Sequence, residues 1–453
     1  MALKRRDIDL TEGVIWKQMF RFTLPLLAGN AFQLLYNTVD AFVVGRFVNH
    51  QALGAVGMVG AAINALIGFF IGIASGATVV ISQYCGAKDN QRISDSIQTT
   101  VLLTIIACVF CTFAGVLVSP LLVRLMNTPY DMVDYAEEYL TIYFSGVSGM
   151  MIYNIGSGIL RAVGDSKSPL YFLIVSAVLN TALDLLFVIC FKMEVRGVAW
   201  ATVIAQTVSA VLVVYVLTKT NAAYRIQWKN LRLDVGIMKK VFRIGLPSAI
   251  QTAITSVSNV FVQGYINDFE SACAAGWATY AKVDPFALLP INSLAITATT
   301  FVGQNLGAQK LKRAKKGMYT ALFMSFIACA VLCFPLIAFS RQIIGIFNSE
   351  KQVIYFGSVF LRMMCGFYFL CAINQIFTGA LRGAGISLPP MIIMLSSFVA
   401  FRQLYLFVFS RITDSVYVVA LAYPMGWILC SVLVLIYYFR SDWEKRYLTR
   451  LRQ

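Results

Sequence analysis

The sequence RFTLP at residues 21–25 returns as RIGLP at residues 243–247. Two further pairs keep this spacing to within one position, namely SQYCGA at 82–87 with GQNLGA at 303–308, and LRAVG at 160–164 with LRGAG at 381–385. Because the matches keep nearly one spacing along the whole chain, they indicate an internal repeat. The chain is therefore predicted to consist of two similar halves.

The composition places both halves in a membrane. Of the 453 residues, 59% are hydrophobic and 13% are charged, roughly half of the ~25% charged residues usual for soluble domains. A soluble globule cannot bury that much apolar surface, so soluble enzymes and nucleic-acid-binding proteins are excluded. The expected partner is the lipid bilayer, and the net charge of +16 is expected to mark the cytoplasmic side.

Apolar runs long enough to cross a bilayer recur twelve times in the sequence. The predicted spans cover residues 16–46, 52–82, 94–118, 132–160, 168–191, 197–218, 237–267, 271–304, 312–339, 351–380, 388–410 and 415–439. The sequence thus predicts an all-α membrane protein with twelve transmembrane helices in two six-helix domains, residues 1–218 and 237–453, joined by a cytoplasmic linker at 219–236. An even number of spans in each half predicts parallel repeats, which are typical of secondary transporters.

The basic residues predict the orientation of these spans. At one set of helix ends, which includes both termini, lie 27 of the 37 Lys and Arg residues, whereas the opposite loops hold seven. Positive residues are enriched on the cytoplasmic side. Both termini are therefore expected in the cytoplasm, with the protein in the plasma or inner membrane.

Several kinds of cofactor site are not expected. The chain has one histidine, His50, and the single CxxC pair among its ten cysteines, Cys108 with Cys111, lies inside an apolar span. Cysteines at such a place are expected to be small packing residues, so a histidine or cysteine metal centre is not predicted. No GxxxxGK[ST] sequence occurs, which argues against an ATPase within this chain. The chain is interpreted as a transporter rather than an enzyme, with no cofactor.

Acidic side chains inside the apolar spans are the main candidates for function, because ionisable groups in a bilayer are costly. Asp40 in the first span, Asn180 and Asp184 one turn apart in the fifth, and Thr202 in the sixth are expected at one depth, in the outer half of the bilayer. Two close carboxylates in a low dielectric cannot easily both be ionised, so they could take up and release a proton. The alternative is a polar cluster that only fixes helix packing.

Pro25 lies before Asp40 in the first span, nearer to its predicted cytoplasmic end. Proline removes one helical hydrogen bond, so Pro25 is predicted to hinge the helix that carries Asp40. Pro247 has the matching place in the seventh span. A static kink is the alternative.

A substrate cavity is expected among polar, aromatic and methionine side chains within the spans. The candidates are Tyr36, Asn37, Tyr139, Met151, Asn154, Gln251, Lys282 and Asp284. Lys282 and Asp284 are two residues apart, so they do not face each other on a regular helix. A break in the helix at the following Pro285 and Pro290 could bring them together. Arg402, in the middle of the eleventh span, needs a partner or water.

The chain resembles the multidrug and toxic compound extrusion (MATE) family over essentially its full length. The resemblance is carried by LP at 24–25, NTVD at 37–40, ALGAV at 52–56 and GQNLGA at 303–308, together with the paired LR-x-x-G segments. It implies a V-shaped pair of six-helix bundles and the export of organic compounds in exchange for protons or sodium.

Within that family the chain is most similar to the DinF-like branch. Members of this branch carry an Asp, an Asn–Asp pair and a Thr that match Asp40, Asn180, Asp184 and Thr202, and a proline matching Pro25 that is proposed to bend the first helix on protonation. The NorM-like acids of the seventh and tenth helices are missing, where this chain has Thr255, Cys371 and Asn374. The departure argues against a cation site in the second half.

These patterns predict an efflux antiporter that acts as a monomer and exports amphipathic, often cationic small organic molecules. A proton is favoured as the coupling ion, although sodium is also compatible with the oxygens at Asp40 and Asp184. Two other functions remain open. One is a flippase of lipid-linked precursors from the same superfamily, and the other is a membrane scaffold without transport activity.

Overall fold

The structure, a computed structural model, describes residues 8–48, 50–126, 128–413, 415–441 and 443–444. Within these ranges the regular structure is helical and contains no strand. Nine of the described helical segments are long and apolar enough to cross a membrane on length and hydropathy alone. The predicted all-α membrane fold is confirmed.

The first half contains seven α-helices, several of which are longer than the predicted spans. They are α1 Ile15–Phe47, α2 His50–Gly86, α3 Asn90–Leu125, α4 Val133–Ser145, α5 Val147–Ala162, α6 Lys167–Leu185 and α7 Glu194–Lys219. A π-helical turn, Leu186–Cys190, continues α6. A short 3-10 turn, Tyr130–Met132, precedes α4.

Within the described ranges, the second half contains eight α-helices. Its helices are α8 Val235–Asn267, α9 Ser271–Gly307, α10 Leu311–Ala338, α11 Ser340–Phe347, α12 Lys351–Gly383, α13 Leu388–Leu395, α14 Arg402–Phe409 and α15 Val416–Arg440. A π-helical turn, Ser396–Phe401, joins α13 to α14. A 3-10 turn, Trp228–Asn230, lies in the segment before α8.

The predicted fourth span is divided into two helices at Gly146. A Cβ atom at Gly146 would lie 2.2 Å from Cγ1 of Val203 on α7, so only glycine allows this close approach. Glycine also disfavours helix continuation because it loses more conformational freedom on folding than other residues. The hydropathy pattern is continuous across this position, and for that reason it predicted one uninterrupted span.

Contacts between Cα atoms divide the chain into two compact units. The first unit comprises Leu24–Gly245 with Met1–Asp9, and the second comprises Leu246–Gln453 with Leu10–Thr23. Both α1 and α8 therefore contribute to both units. The domain boundaries predicted from the repeat, after residues 218 and 236, stay a prediction.

Each unit has its own hydrophobic core. In the first unit, α2, α4 and α7 supply one buried cluster, while α2, α3, α5 and α7 supply another. In the second unit, one large cluster draws on α8, α9, α10, α12 and α15. These cores hold the helices that carry the polar site residues in fixed positions.

The internal repeat is visible in the contacts of individual glycines. In the first unit, a Cβ atom at Gly158 of α5 would lie 2.6 Å from Oγ1 of Thr78 on α2. In the second unit, the Cβ of Gly379 on α12 would lie 3.0 Å from Oγ1 of Thr299 on α9. Gly379 and Thr299 are the residues of the second repeat that correspond to Gly158 and Thr78 in the first. The same close helix crossing therefore occurs in both units. Small residues at crossings are typical of membrane helices.

Candidate functional site

In the first unit, three helices carry the polar side chains that the sequence singles out. Asp40 of α1 interacts electrostatically with Asp184 of α6 and Thr202 of α7. Asn180 lies one turn before Asp184 on the same side of α6. The side chains of Asn180, Asp184 and Thr202 are buried, and Asp40 is partly buried. We call these four residues the carboxylate cluster.

The start of α6 fixes the helix that carries two members of this cluster. Asp165, just before α6, accepts hydrogen bonds from the backbone N–H groups of Lys167 and Ser168, each at 3.0 Å. Its second carboxylate oxygen accepts a hydrogen bond from the Ser168 hydroxyl at 2.5 Å. Such capping satisfies the free N–H groups of the first helical turn. The Asn180–Asp184 pair thus lies on a well-anchored helix.

The polar atoms of the carboxylate cluster interact with one another, as Asp40 does with Asp184 and Thr202, but they make no well-formed hydrogen bond in the described part of the chain. This holds for the buried Oδ1 of Asp40, both carboxyl oxygens of Asp184, the side-chain amide of Asn180 and the hydroxyl of Thr202. Buried polar groups in proteins are normally paired, so each exception calls for an explanation. A set of buried oxygens without partners is chemically suited to a proton or a small hard cation.

Aromatic hydroxyl groups surround this cluster. Tyr139 of α4 interacts electrostatically with Asp40, Asp184 and Tyr36. Its ring stacks on that of Tyr143, with the ring centroids 6.3 Å apart. Gln206 of α7 interacts with Tyr36 and Tyr143 through its side chain. The acids are thereby enclosed by groups that can donate hydrogen bonds without adding a positive charge.

The remaining candidates of the first unit lie elsewhere or are not described. Met151 is completely buried in a core cluster with Phe70 and Cys108, so it packs between helices instead of facing a cavity. The amide of Asn154 donates a hydrogen bond to the Met150 carbonyl at 2.9 Å. The side chain of Asn37 lies outside the described residues.

The second unit contains a cavity of about 390 Å³ between α8, α9, α12, the π-helical turn, α14 and α15. Asp284 of α9 lines it. The Oδ1 atom of Asp284 accepts hydrogen bonds from the hydroxyls of Tyr280, at 2.6 Å, and Tyr368. Tyr280 is four residues before Asp284 on the same helix face. Thr255, Cys371 and Asn374, which occupy the places of the NorM-like acids, also line this cavity.

Arg402 lines the same cavity and has only neutral partners. Its Nη2 atom donates to Oγ of Ser258 at 2.8 Å and to Oδ1 of Asn259 at 2.9 Å. Its guanidinium lies 4.6 Å from the ring centroid of Tyr423. The π-helical turn immediately before Arg402 is a distortion often found at functional sites.

Two further candidates of the second unit do not line this cavity. Lys282 is exposed on α9, and its Nζ atom lies 5.9 Å from the ring centroid of Phe347. The structure therefore separates Lys282 from Asp284, as the two-residue spacing requires. Gln251 of α8 is partly buried, and its backbone carbonyl accepts a hydrogen bond from the Thr255 hydroxyl at 2.8 Å.

Pro25 lies within α1 at the change from one unit to the other. Residues Leu10–Thr23 belong to the second unit, whereas residues Leu24–Gly245 belong to the first. The Thr23 hydroxyl lies 2.8 Å from that of Thr297. In α8 the change falls between Gly245 and Leu246, again just before a proline. Each proline thus weakens its helix where the helix passes from one unit to the other.

Several contributors to these sites were not identified from the sequence. In the first unit they are Tyr143 and Gln206, and in the second they are Tyr368 and the aromatic residues around Arg402. The spacing of four residues between Tyr139 and Tyr143, and between Tyr280 and Asp284, is a usable signal. Contacts between helices distant in sequence, such as that of Tyr368 with Asp284, have no local signal.

A known family matches the chain twice. The MatE family model covers residues 25–186 and again residues 246–405. The starts of the two matches have the same spacing as the repeated segments in the sequence. The prediction of two similar halves is thereby confirmed.

Proteins with known sequences and structures are similar over the whole chain. The chain is 29% identical over 447 residues to "Probable multidrug resistance protein YoeA" of Bacillus subtilis (strain 168), covering 97% of this chain and 96% of that protein. It is 27% identical to "Probable multidrug resistance protein YpnP" of the same strain, covering 96% and 97%. The fold matches that of an outward-facing multidrug resistance MATE family transporter of the MOP superfamily, with a TM-score of 0.90, 20% identity and complete coverage of both chains.

Proposed function

The chain belongs to the MatE family, and from that premise we propose that it is a secondary antiporter that exports organic molecules in exchange for a cation bound at Asp40 and Asp184. Members of this family are transporters and not enzymes. The chain is a multi-pass membrane protein, and its relatives are named multidrug resistance proteins.

The unpaired burial of Asp184 beside Asp40 is the observation that carries the proposal. Asp184 is 0% exposed, and its carboxyl interacts with that of Asp40 but makes no well-formed hydrogen bond among the described residues. Leaving such a carboxylate charged and unpaired costs several kcal/mol. A purely structural polar cluster would be expected to satisfy its own hydrogen bonds. The cluster therefore gains stability when a cation or a proton arrives.

A proton is the favoured ion. One proton shared between Asp40 and Asp184 removes the repulsion of two close carboxylates and joins them through a hydrogen bond. Sodium would use the same carboxylate oxygens with those of Asn180 and Thr202. Within the described residues, no group of three or more His, Cys, Asp or Glu side chains is placed to hold a metal ion.

Pro25 supplies the proposed link between ion binding and conformational change. The helix that carries Asp40 in the first unit begins in the second unit and changes unit just before this proline. Protonation of Asp40 alters which packing of α1 is most stable, and the weakened helical ladder at Pro25 lets the helix respond. Coupling requires that the ion bind one conformation more tightly than the other.

The proposed cargo is an amphipathic, often cationic organic molecule. The aromatic side chains around the carboxylate cluster can contact flat apolar groups of varied shape, and the nearby acids favour a positive charge. Loss of cargo on protonation follows, because a protonated carboxyl no longer attracts a cation. We further propose that the protein acts as a monomer in the cell membrane with both termini in the cytoplasm.

Transport by the purified protein in lipid vesicles tests this proposal. A pH gradient and a sodium gradient are imposed in separate experiments, with valinomycin and equal potassium on both sides to hold the membrane potential at zero, and ethidium fluorescence is followed. Accumulation of dye only when the lumen is acidic supports proton exchange. Accumulation driven by the sodium gradient alone would show that sodium, and not the proton, is the coupling ion. Dye movement that is independent of both gradients refutes coupling. Lipid scrambling without dye movement favours the flippase, and no activity favours the scaffold.

A further inference from the structure

The cavity of the second unit holds a buried positive charge that lacks an acidic partner. Arg402 is 3% exposed, and its hydrogen bonds go to the neutral side chains of Ser258 and Asn259. Its Nε atom has no hydrogen-bond partner. None of the ion pairs found among the described residues includes Arg402. The guanidinium therefore retains an N–H group and a full charge for an anion.

The same cavity holds a carboxylate that lacks a basic partner. Both tyrosine hydroxyls that contact Asp284 bind its Oδ1 atom, which leaves Oδ2 for another donor. The basic residue nearest in sequence, Lys282, is exposed and does not line the cavity. Pro285 has no N–H group, so the helix supplies no donor to the carbonyl of Ala281, which also lines the cavity. This side of the cavity is rich in acceptors.

Two aromatic rings that line the cavity lie close to each other. The rings of Trp277 and Tyr423 are inclined at 32° with centroids 5.6 Å apart. Tyr423 contacts the Arg402 guanidinium and lies within electrostatic reach of both Arg402 and Asp284. Each charge is held by its own neutral partners, so the two do not neutralise each other through an ion pair. A ligand is needed to satisfy both.

We propose that this cavity binds an amphoteric aromatic molecule, with its cationic group at Asp284, its anionic group at Arg402 and its ring system on Trp277 and Tyr423. A ligand with opposite charges at its two ends satisfies both unpaired groups, whereas a simple cation leaves Arg402 unmatched. The cavity volume of about 390 Å³ lies in the range of small-molecule sites. The inference rests on the proposed function only in naming a class of cargo.

Equilibrium binding of three related dyes tests the inference without any ion gradient. Rhodamine 110 carries both a cationic xanthene and a carboxylate, rhodamine 123 is its methyl ester and only cationic, and fluorescein is anionic. Fluorescence anisotropy with the purified full-length protein in lipid nanodiscs gives each Kd. Rhodamine 110 is expected to bind about tenfold or more tightly than either relative, since a charge-assisted hydrogen bond at each end is retained only there. Equal affinity for rhodamine 110 and rhodamine 123 would overturn the inference.

Substitutions assign the two charges to the two ends of the ligand. Arg402→Gln is expected to remove the advantage of rhodamine 110 while leaving rhodamine 123 affinity unchanged, and Asp284→Asn is expected to weaken both cationic dyes. Lys282→Gln is the matched control, because this charge lies on α9 outside the cavity, and it should change none of the three. Loss of the advantage in Lys282→Gln, or its retention in Arg402→Gln, contradicts the assignment.

Two further variants separate loss of fold and loss of coupling from loss of this site. Arg402→Lys keeps the positive charge, so preference for rhodamine 110 should be partly retained if Arg402→Gln unfolds. Asp40→Asn removes an acid of the other unit, so the preference for rhodamine 110 over its methyl ester, which depends on Arg402, should remain. Failure of exchange with intact dye selectivity refutes the proposed function alone. Intact exchange without dye selectivity refutes this inference alone.

Discussion

Asp40 of α1 and Asp184 of α6 interact electrostatically inside the first unit, and neither takes part in an ion pair found among the described residues. Two carboxylates at such a place repel each other unless a positive charge joins them. In the second unit, by contrast, Asp284 accepts hydrogen bonds from two tyrosine hydroxyls. The two units therefore share one fold but differ in the chemistry of their interiors.

Removal of the charge at Asp184 should not destabilise the protein at neutral pH. Asp184→Asn keeps the shape of the side chain and ends the burial of an unpaired carboxylate, so its melting temperature should equal or exceed that of the wild type. Asp165→Ala is the comparison, because it removes the cap of α6 and should cost about 1 kcal/mol. Thermal unfolding in one detergent checks both. A clear loss of stability in Asp184→Asn would show that the carboxylate is a structural partner.

Straightening of α1 should impair exchange without loss of the ion site. Pro25→Ala restores a hydrogen bond to the Arg21 carbonyl and should lower the rate of proton-driven dye transport about tenfold, while proton release on dye binding persists. The matched variant is Pro247→Ala, in a helix that carries no acidic residue, and it should retain the response to pH. Wild-type transport by Pro25→Ala would make the proline a static kink.

The crossing of α9 and α12 should tolerate no side chain at Gly383. A Cβ atom there would lie 2.5 Å from the carbonyl oxygen of Thr299, so Gly383→Ala should lower the free energy of unfolding by about 1–3 kcal/mol. On the same helix, a Cβ atom at Gly366 meets nothing within 4 Å, and Gly366→Ala should raise stability by about 0.5–1 kcal/mol. Thermal unfolding of the two variants gives the comparison. Equal effects would contradict the close crossing.

Cys190 offers a test of the predicted orientation. It is the exposed cysteine in the described chain, whereas the other nine are buried or partly buried, and it ends the π-helical turn after α6. The distribution of basic residues places this end outside the cell. A membrane-impermeant thiol reagent added to intact cells should label Cys190, and Cys190→Ser should abolish the signal. Labelling only after permeabilisation would reverse the orientation.

Much of the fold could be predicted because its signals lie in the sequence itself. The repeated segments and apolar runs predicted two six-helix halves, since the bilayer imposes length and hydropathy on every span. The break at Gly146 escaped prediction, because it depends on the closeness of Val203 on another helix. The π-helical turns likewise have no hydropathy signal.

Of the candidate site residues, those of the rarest types in the chain were the ones that the sequence could identify. Acids inside an apolar chain are few, so Asp40, Asp184 and Asp284 stand out by composition alone. Methionine and tyrosine are common in this chain, so their positions do not distinguish site residues from core residues. Met151 was predicted to line a cavity but is a core residue, and Tyr143 and Tyr368 were not predicted as site residues. Arg402 was recognised as needing a partner, but Ser258 and Asn259 lie on a helix far away in the sequence. Only the packing of α8 against α14 reveals them.

The most direct test of ion exchange at the carboxylate cluster compares Asp40→Asn with the wild type in vesicles that have an acidic lumen and no membrane potential. Wild type and the control Glu137→Gln, which changes an acid near the start of α4, should both accumulate ethidium in proportion to the pH gradient. Asp40→Asn should show no response to the gradient, because its neutral amide can no longer exchange a proton. Gradient-driven accumulation by Asp40→Asn at the wild-type rate would contradict the account.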